Sequence, residues 1–348
     1  MKVALLHLGN ADDGQRPTCG ERLLWVAHHL ITDGVSWRIL LEDFQTIYQQ
    51  ISQGKTVQLP AKTTSWQQWA TCLQNYAHSE ALQQELPHWL NTTSSIPNIL
   101  HSSVDTSHNT GANAKNITIN LTPAETQSLL QELPSRHHTQ IQNVLLTALL
   151  QTFRQCSGES SLCLDLEGHG RSDLFSDQDI SRTIGWFTTL FPVQLTAPEN
   201  ATLTEVLQAV KTQLQQVPQQ GIGYGLLRYL NTSEVTDDLR DRPSATLRFN
   251  YLGQLDRGLQ TTDLFKLASE SCGIERSLRN PRPYLLDISA FVAEGQFQMQ
   301  WSYSHAVHKA ATIQTLADTF LGILRLLLKT TPKSSPLNYL EPIRINGI

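Results

Sequence analysis

Two histidines stand side by side at His28 and His29, followed at a fixed spacing by Asp33 and Gly34. Imidazole changes charge near neutral pH, so a histidine held here can take or give a proton under cellular conditions. A second cluster, Glu167-Gly168-His169-Gly170-Arg171, sets a carboxylate among glycines that admit close backbone approach. Glu167 follows a largely apolar stretch over 162–166, and apolar surroundings push a carboxyl group's pKa up toward the working range of an acid or base. A carboxylate and an imidazole facing one another can remove a proton from one side of an atom and return one to the other. Asn250 and Tyr251 form a third group: Tyr251 could donate a hydrogen bond to a developing oxyanion, and Asn250 could orient an amide.

Each group also has a structural reading that residue types alone leave open. One of the two histidines can be a satisfied, half-buried side chain while Asp33 caps the helix that follows. Glu167 can be a solvated strand end, and Tyr251 a half-buried core residue with a wet hydroxyl. Glu167 and His169 supply two metal-ligand types without a third, so no metal site is expected.

These residues need elements to hold them. Buried strands are expected over 3–8 and 22–27, the second running directly into His28, and an amphipathic helix over 36–51 carries Ile39, Phe44 and Ile47 on one side. Residues 91–114 are rich in Asn, Thr, Ser and His, a linker composition. An N-terminal lobe over 1–114, a C-terminal lobe over 115–335 and a tail over 336–348 are expected around that boundary. Beyond it, a strand over 116–121 leads to Thr122-Pro123-Ala124-Glu125, a helix start with cap, first-turn proline and a returning glutamate. Further helices are expected over 139–153, 203–217 and 313–328, and further strands over 162–166, 245–251, 285–292 and 296–303. Strands alternating with helices give a mixed α/β (α+β) fold.

The chain has 348 residues, 40% hydrophobic and 16% charged, with a formal charge of −5. That composition suits a globular protein with more than one core and offers no basic field for nucleic acid. Apolar stretches over 144–153 and 320–328 reach about half the ~20 residues of a membrane span, so no membrane partner is expected. Five cysteines (Cys19, Cys72, Cys156, Cys163, Cys272) form no CxxC pair, a pattern that fits a reducing cytoplasmic setting.

The segment His28-His29-Leu30-Ile31-Thr32-Asp33-Gly34 matches HHxxxDG, and with Val35-Ser36-Trp37 it resembles the epimerization domains of nonribosomal peptide synthetases, within the condensation-domain superfamily. Four further blocks are similar to that family in the same order: Glu167 to Arg171 (EGHGR), 182–193 (RTIGWFTTLFPV), 221–230 (GIGYGLLRYL) and 249–254 (FNYLGQ). The DFGWG-like sequence expected of an amide-forming relative is absent, and Ser172 stands where many relatives carry an acidic residue. The resemblance implies a two-lobe fold like chloramphenicol acetyltransferase. It implies a substrate that arrives on the phosphopantetheine arm of a peptidyl or acyl carrier domain, enters a tunnel between the lobes, and needs no intrinsic cofactor. It implies that His29 and Glu167 exchange protons with the α-carbon of an aminoacyl or peptidyl thioester, that Tyr251 and Asn250 line the site, and that His28, Asp33, His169 and Arg171 are supports. Asp33 would hold its turn through an ion pair. The family carries on the order of a hundred residues before HHxxxDG, whereas Met1 lies 27 residues before His28, so an incomplete N-terminal lobe is expected. A condensation-type acyltransferase and a non-catalytic carrier-docking fragment remain alternatives.

Overall fold

Capping chemistry starts the helices at positions the sequence marks. Thr122 accepts the amide of Glu125 while the Glu125 carboxylate accepts the Thr122 amide, and Pro123 occupies the first turn. The same reciprocal cap joins Ser65 to Gln68 and Thr202 to Glu205, each satisfying helix-end donors that have no partner within the helix. The computed structural model describes residues 1–7, 20–93, 108–255, 265–266, 268, 270–274 and 276–330. Most of the expected linker, the whole 336–348 tail and Cys19 fall outside these residues.

The longer helices are α1 (Gly34–Ser52), α2 (Trp66–Tyr76), α3 (Leu86–Thr92), α4 (Ile141–Ser157), α5 (Leu203–Gln215) and α6 (Ala310–Lys329). Strands β1 (Lys2–His7) and β2 (Glu21–Val26) form an antiparallel pair of their own. The remaining strands, β3 (Ala114–Asn120), β4 (Ser161–Gly168), β5 (Thr189–Thr196), β6 (Leu247–Gln254), β7 (Leu286–Ala293) and β8 (Gln296–Ser304), make one mixed sheet in the order β3-β8-β7-β6-β4-β5. Within it β4, β6 and β7 run parallel and the other pairs are antiparallel. The mixed α/β fold is as the sequence implies, but β5 is a strand the sequence pattern does not mark. Its Pro192 weakens the strand signal and is tolerated because β5 lies at the sheet edge.

Strand alternation gives this sheet two unlike faces. Leu164, Leu166, Leu247, Phe249, Leu286, Ile288, Met299 and Trp301 fill the core under α4, α5 and α6, where Trp301 meets Phe320 edge-on at 5.9 Å. The opposite face carries Asp165, Glu167, Arg248, Asn250, Asp287 and Ser289, brought level by the register Asp165–Arg248–Asp287 across β4, β6 and β7. By length and composition α6 could cross a membrane, longer than the apolar stretch over 320–328 suggested. Its Ile313, Leu316, Phe320 and Leu324 are buried in this core instead.

Two expectations change. Strands β1 and β2 are not buried: Val3, Leu5 and Val26 are all more than half exposed, since among the described residues the pair hydrogen-bonds to no third strand. The core also crosses the boundary drawn at 114. Ala77, Leu82 and Trp89 share it with the large sheet, Glu85 accepts the Trp89 indole N–H at 3.1 Å, and Asn231 donates to the Ala77 carbonyl at 2.8 Å. Amide hydrogen exchange checks both points. The amides of β1 should exchange fastest, while those of Leu82 to Trp89 should be protected like β7 rather than like β1. Equal protection of β1 and β7 would contradict this packing.

Candidate active site

The HHxxxDG segment is held against the sheet lobe by a buried guanidinium. Asp33 caps α1 by accepting the Ser36 amide at 2.7 Å, and its other oxygen accepts the Phe187 amide at 3.1 Å. The capping and ion-pairing readings are therefore both realised. Arg171 donates to Asp33 at 3.3 Å, to Ser36 Oγ at 3.1 Å and to the carbonyls of Ile180 and Thr183 at 2.8 and 2.9 Å. Its guanidinium carbon lies over the Phe187 ring, 4.0 Å from the ring centre. Burial pulls the Arg171 pKa down and Asp33 pulls it back up. Gly170 allows this approach: its φ is +65°, and a Cβ there would lie 1.6 Å from the Phe187 carbonyl oxygen.

The expected supports sit in this clasp and beside it. His169 accepts the Arg171 amide on Nδ1 at 3.0 Å and closes the turn after β4. His28 accepts the Leu30 amide on Nδ1 at 3.1 Å and caps a short 3₁₀ turn over His29–Ile31. His29 opens that turn, and its ring lies 5.2 Å from that of Trp186. Helix α1 is tied down further along its length: Arg182 pairs with Glu42 and Asp43, and Arg38 donates to the Leu252 carbonyl at the end of β6.

Glu167 ends β4 on the polar face. Burial raises its pKa; the guanidinium of Arg248 opposes that rise, Asp287 adds to it, and the charges of His29 and Arg276 lower it. Arg248 lies 3.3 Å from Glu167 and grips Asp287 with two hydrogen bonds of 2.9 and 2.6 Å. Behind it, Tyr284 donates to Asp165 at 2.9 Å, and burial pushes the Asp165 carboxyl up to about 6.

Sequence reasoning does not single out Arg248, Asp287, Tyr284 or Asp165. Period-two alternation could have found three of them, because Asp165 lies two residues before Glu167, Arg248 two before Asn250, and Asp287 is a charge between apolar strand residues. Asn250 shares the polar face by the same alternation. Tyr251 is paired with Ala290 and turns to the other face, partly buried against the main core. The register therefore separates Tyr251 from Glu167, and the oxyanion-binding role expected for it has no support from its placement. Burial pushes the Cys163 thiol up to about 12, which leaves it no nucleophilic character at neutral pH.

A condensation-domain family model matches residues 16–340, nearly the whole chain. The chain belongs to the condensation-domain family. Among its relatives, one of the linear gramicidin synthase proteins of Brevibacillus parabrevis is 44% identical over 87% of this chain, and another protein of the same synthase is 40% identical over 99%. The chain spans only 4% and 7% of the length of those two relatives. The crystal structure of the epimerization domain from the third module of tyrocidine synthetase B superposes with a TM-score of 0.82 at 34% identity, covering 89% of this chain and 70% of that one. The first condensation domain of the CDA synthetase shares the fold at 14% identity, with a TM-score of 0.64 over 90% of this chain and 66% of that one.

In this condensation-family chain the Arg248 cation is the largest of the influences that oppose the rise of Glu167. Arg248→Gln removes it and leaves the Asp287 charge in place, so the Glu167 carboxyl should titrate at higher pH than in the parent chain. Carbon-13 NMR of labelled glutamate, assigned through Glu167→Gln, reads this directly. An unchanged or lowered midpoint would refute the electrostatic account.

Proposed function

We propose that this chain inverts the α-carbon of an aminoacyl or peptidyl thioester, by removing a proton on one side and returning one on the other. The observation that carries this reading is the buried Arg171–Asp33 ion pair, which ties the turn that follows Glu167 to the segment that carries His29, beside a Glu167 carboxyl whose pKa burial raises. The similarity to an epimerization domain at 34% identity supports it, while the more distant condensation domains share only the fold.

The chemistry needs little beyond an acid and a base. Sulfur donates poorly into a thioester carbonyl, so the neighbouring C–H is more acidic than in an ester. The base takes the α-proton, the electron pair of the C–H bond moves into the carbonyl to give an enolate, and the facing acid delivers a proton to the opposite side of carbon. Each group contributes about 10² to 10⁴ in rate when correctly placed and ionised. Burial raises the pKa of Glu167, which makes its carboxylate a stronger base than a solvated one. The relatives are synthases of peptide products, which supports delivery of the substrate on the phosphopantetheine arm of a carrier domain. Remote binding along such an arm would position the reacting carbon. No group on this chain other than the side chains is asked to do chemistry.

A carrier-bound aminoacyl or peptidyl thioester incubated with the chain in D₂O should gain deuterium at Cα. Glu167→Gln and His29→Ala should each lower that exchange by about 10² to 10⁴ without loss of fold. Peptide-bond formation with an added amine acceptor, and no exchange, would establish the acyltransferase alternative instead.

A further inference from the structure

Glu167 has an apolar neighbour on its own face of the sheet. In the antiparallel pairing of β4 with β5, Leu166 stands opposite Phe191 and Glu167 opposite Leu190. Phe191 belongs to the core under the helices, so alternation turns Leu190 to the polar face. Side chains directly opposite one another on one face have Cβ atoms about 4.5 to 5.5 Å apart. Leu190 is 41% exposed there, and β5 ends the sheet, so among the described residues no strand lies beyond it. Towards the middle of the sheet the same face carries Asn250, then Ser289 opposite it on β7 and Gln300 opposite Ser289 on β8. The surroundings of Glu167 are thus apolar on one side and rich in hydrogen-bonding groups on the other.

Trp186 stands in the same relation to His29. Its ring centre lies 5.2 Å from that of His29, and 41% of the residue is exposed. Its backbone is pinned on both sides. The Gly185 amide donates to Ser36 Oγ at 3.1 Å, the Ser36 hydroxyl donates to the Gly185 carbonyl at 2.9 Å, and the Phe187 amide donates to Asp33 at 3.1 Å. A tryptophan held this way has little freedom left to lose on binding and offers a large apolar surface. A lone exposed leucine or tryptophan is ordinary on a protein surface. These two differ in position, since each lies against one member of the proposed acid and base pair.

We infer that Leu190 and Trp186 receive the side chain of the residue whose α-carbon reacts, and that this side chain is apolar, of the valine or leucine kind. The inference deepens the epimerase reading and rests on it. A side chain begins one bond from the α-carbon, so a carbon that exchanges a proton with Glu167 brings its side chain within reach of Leu190. The amide and carbonyl groups of the same residue then face Asn250 and Ser289, which both donate and accept. A hydroxylated or ionic side chain would lose water to Leu190 and Trp186 without gaining a hydrogen bond from them.

Valyl and threonyl thioesters on one carrier domain serve as probes, because the two side chains have nearly the same shape and differ in a methyl for a hydroxyl. Exchange at Cα in D₂O should favour the valyl thioester about tenfold in kcat/KM, less than the ~10²-fold that closed apolar pockets reach for this pair. Leu190→Asn and Trp186→Gln should each bring that ratio toward one, and Leu190→Met should keep it. Partial loss of fold lowers both rates alike, so the ratio reads the contact rather than stability. Calorimetric titration of the full chain with valyl and threonyl pantetheine amides, with N–H in place of the thioester sulfur, reads the same preference without turnover. Equal exchange of the two thioesters, or a ratio unchanged in both Leu190→Asn and Trp186→Gln, would overturn the inference and leave the epimerase reading standing. A valyl preference in the titration with no exchange of either thioester would overturn the epimerase reading and leave the apolar contact standing. Equal affinities together with no exchange would overturn both.

Discussion

The contact between Arg171 and Asp33 joins the two parts of the site. Arg171 belongs to the turn after β4, two residues from His169 and four from Glu167, while Asp33 opens α1 four residues after His29. Because both partners are buried, the pair is sensitive to loss of either member: an uncompensated buried charge costs about 3 to 5 kcal/mol. Arg171 does not rely on Asp33 alone. Two backbone carbonyls, the Ser36 hydroxyl and the Phe187 ring take up the rest of the guanidinium. Charge, hydrogen-bond direction and the cation–ring contact together tie the start of α1 to the turn after β4, and with it the segment of His29 to that of Glu167.

The polar face of the sheet supplies the second constraint. Five ionisable or hydroxylic groups, Asp165, Glu167, Arg248, Tyr284 and Asp287, lie close together with one cation among them. Arg248 commits two hydrogen bonds to Asp287 and only a 3.3 Å contact to Glu167. That division leaves Glu167 partly compensated, so burial still moves its proton affinity upward. A full two-bond grip on Glu167 would have fixed it as a permanent carboxylate.

Much of this was legible because local chemistry and global packing agree. The Thr122 to Glu125 cap, α1 behind Asp33 and the strand that carries Asn250 all follow from local pattern, and three of the five family blocks meet at the contact between Arg171 and Asp33. Four things were not legible, for physical reasons. β5 hides behind Pro192, whose missing N–H only the strand order excuses. The apolar alternation of β1 and β2 predicts burial, but whether a partner covers a strand is not encoded in the strand itself. Tyr251 pairs with Asn250 only as a neighbour in sequence, whereas neighbours on a strand face opposite sides. The Arg248 and Asp287 contact joins residues 39 apart, and nothing but the register of β6 on β7 reveals it.

The central claim is that His29 and Glu167 serve one carbon atom. A double-mutant cycle on α-proton exchange in D₂O tests it, with His29→Ala, Glu167→Gln and the combined variant measured on one carrier-bound thioester. If the two groups act as one acid and base pair, the double variant should exchange about as slowly as the slower single variant, because the step is already lost when either is removed. Losses that multiply, as for independent sites, would contradict the account.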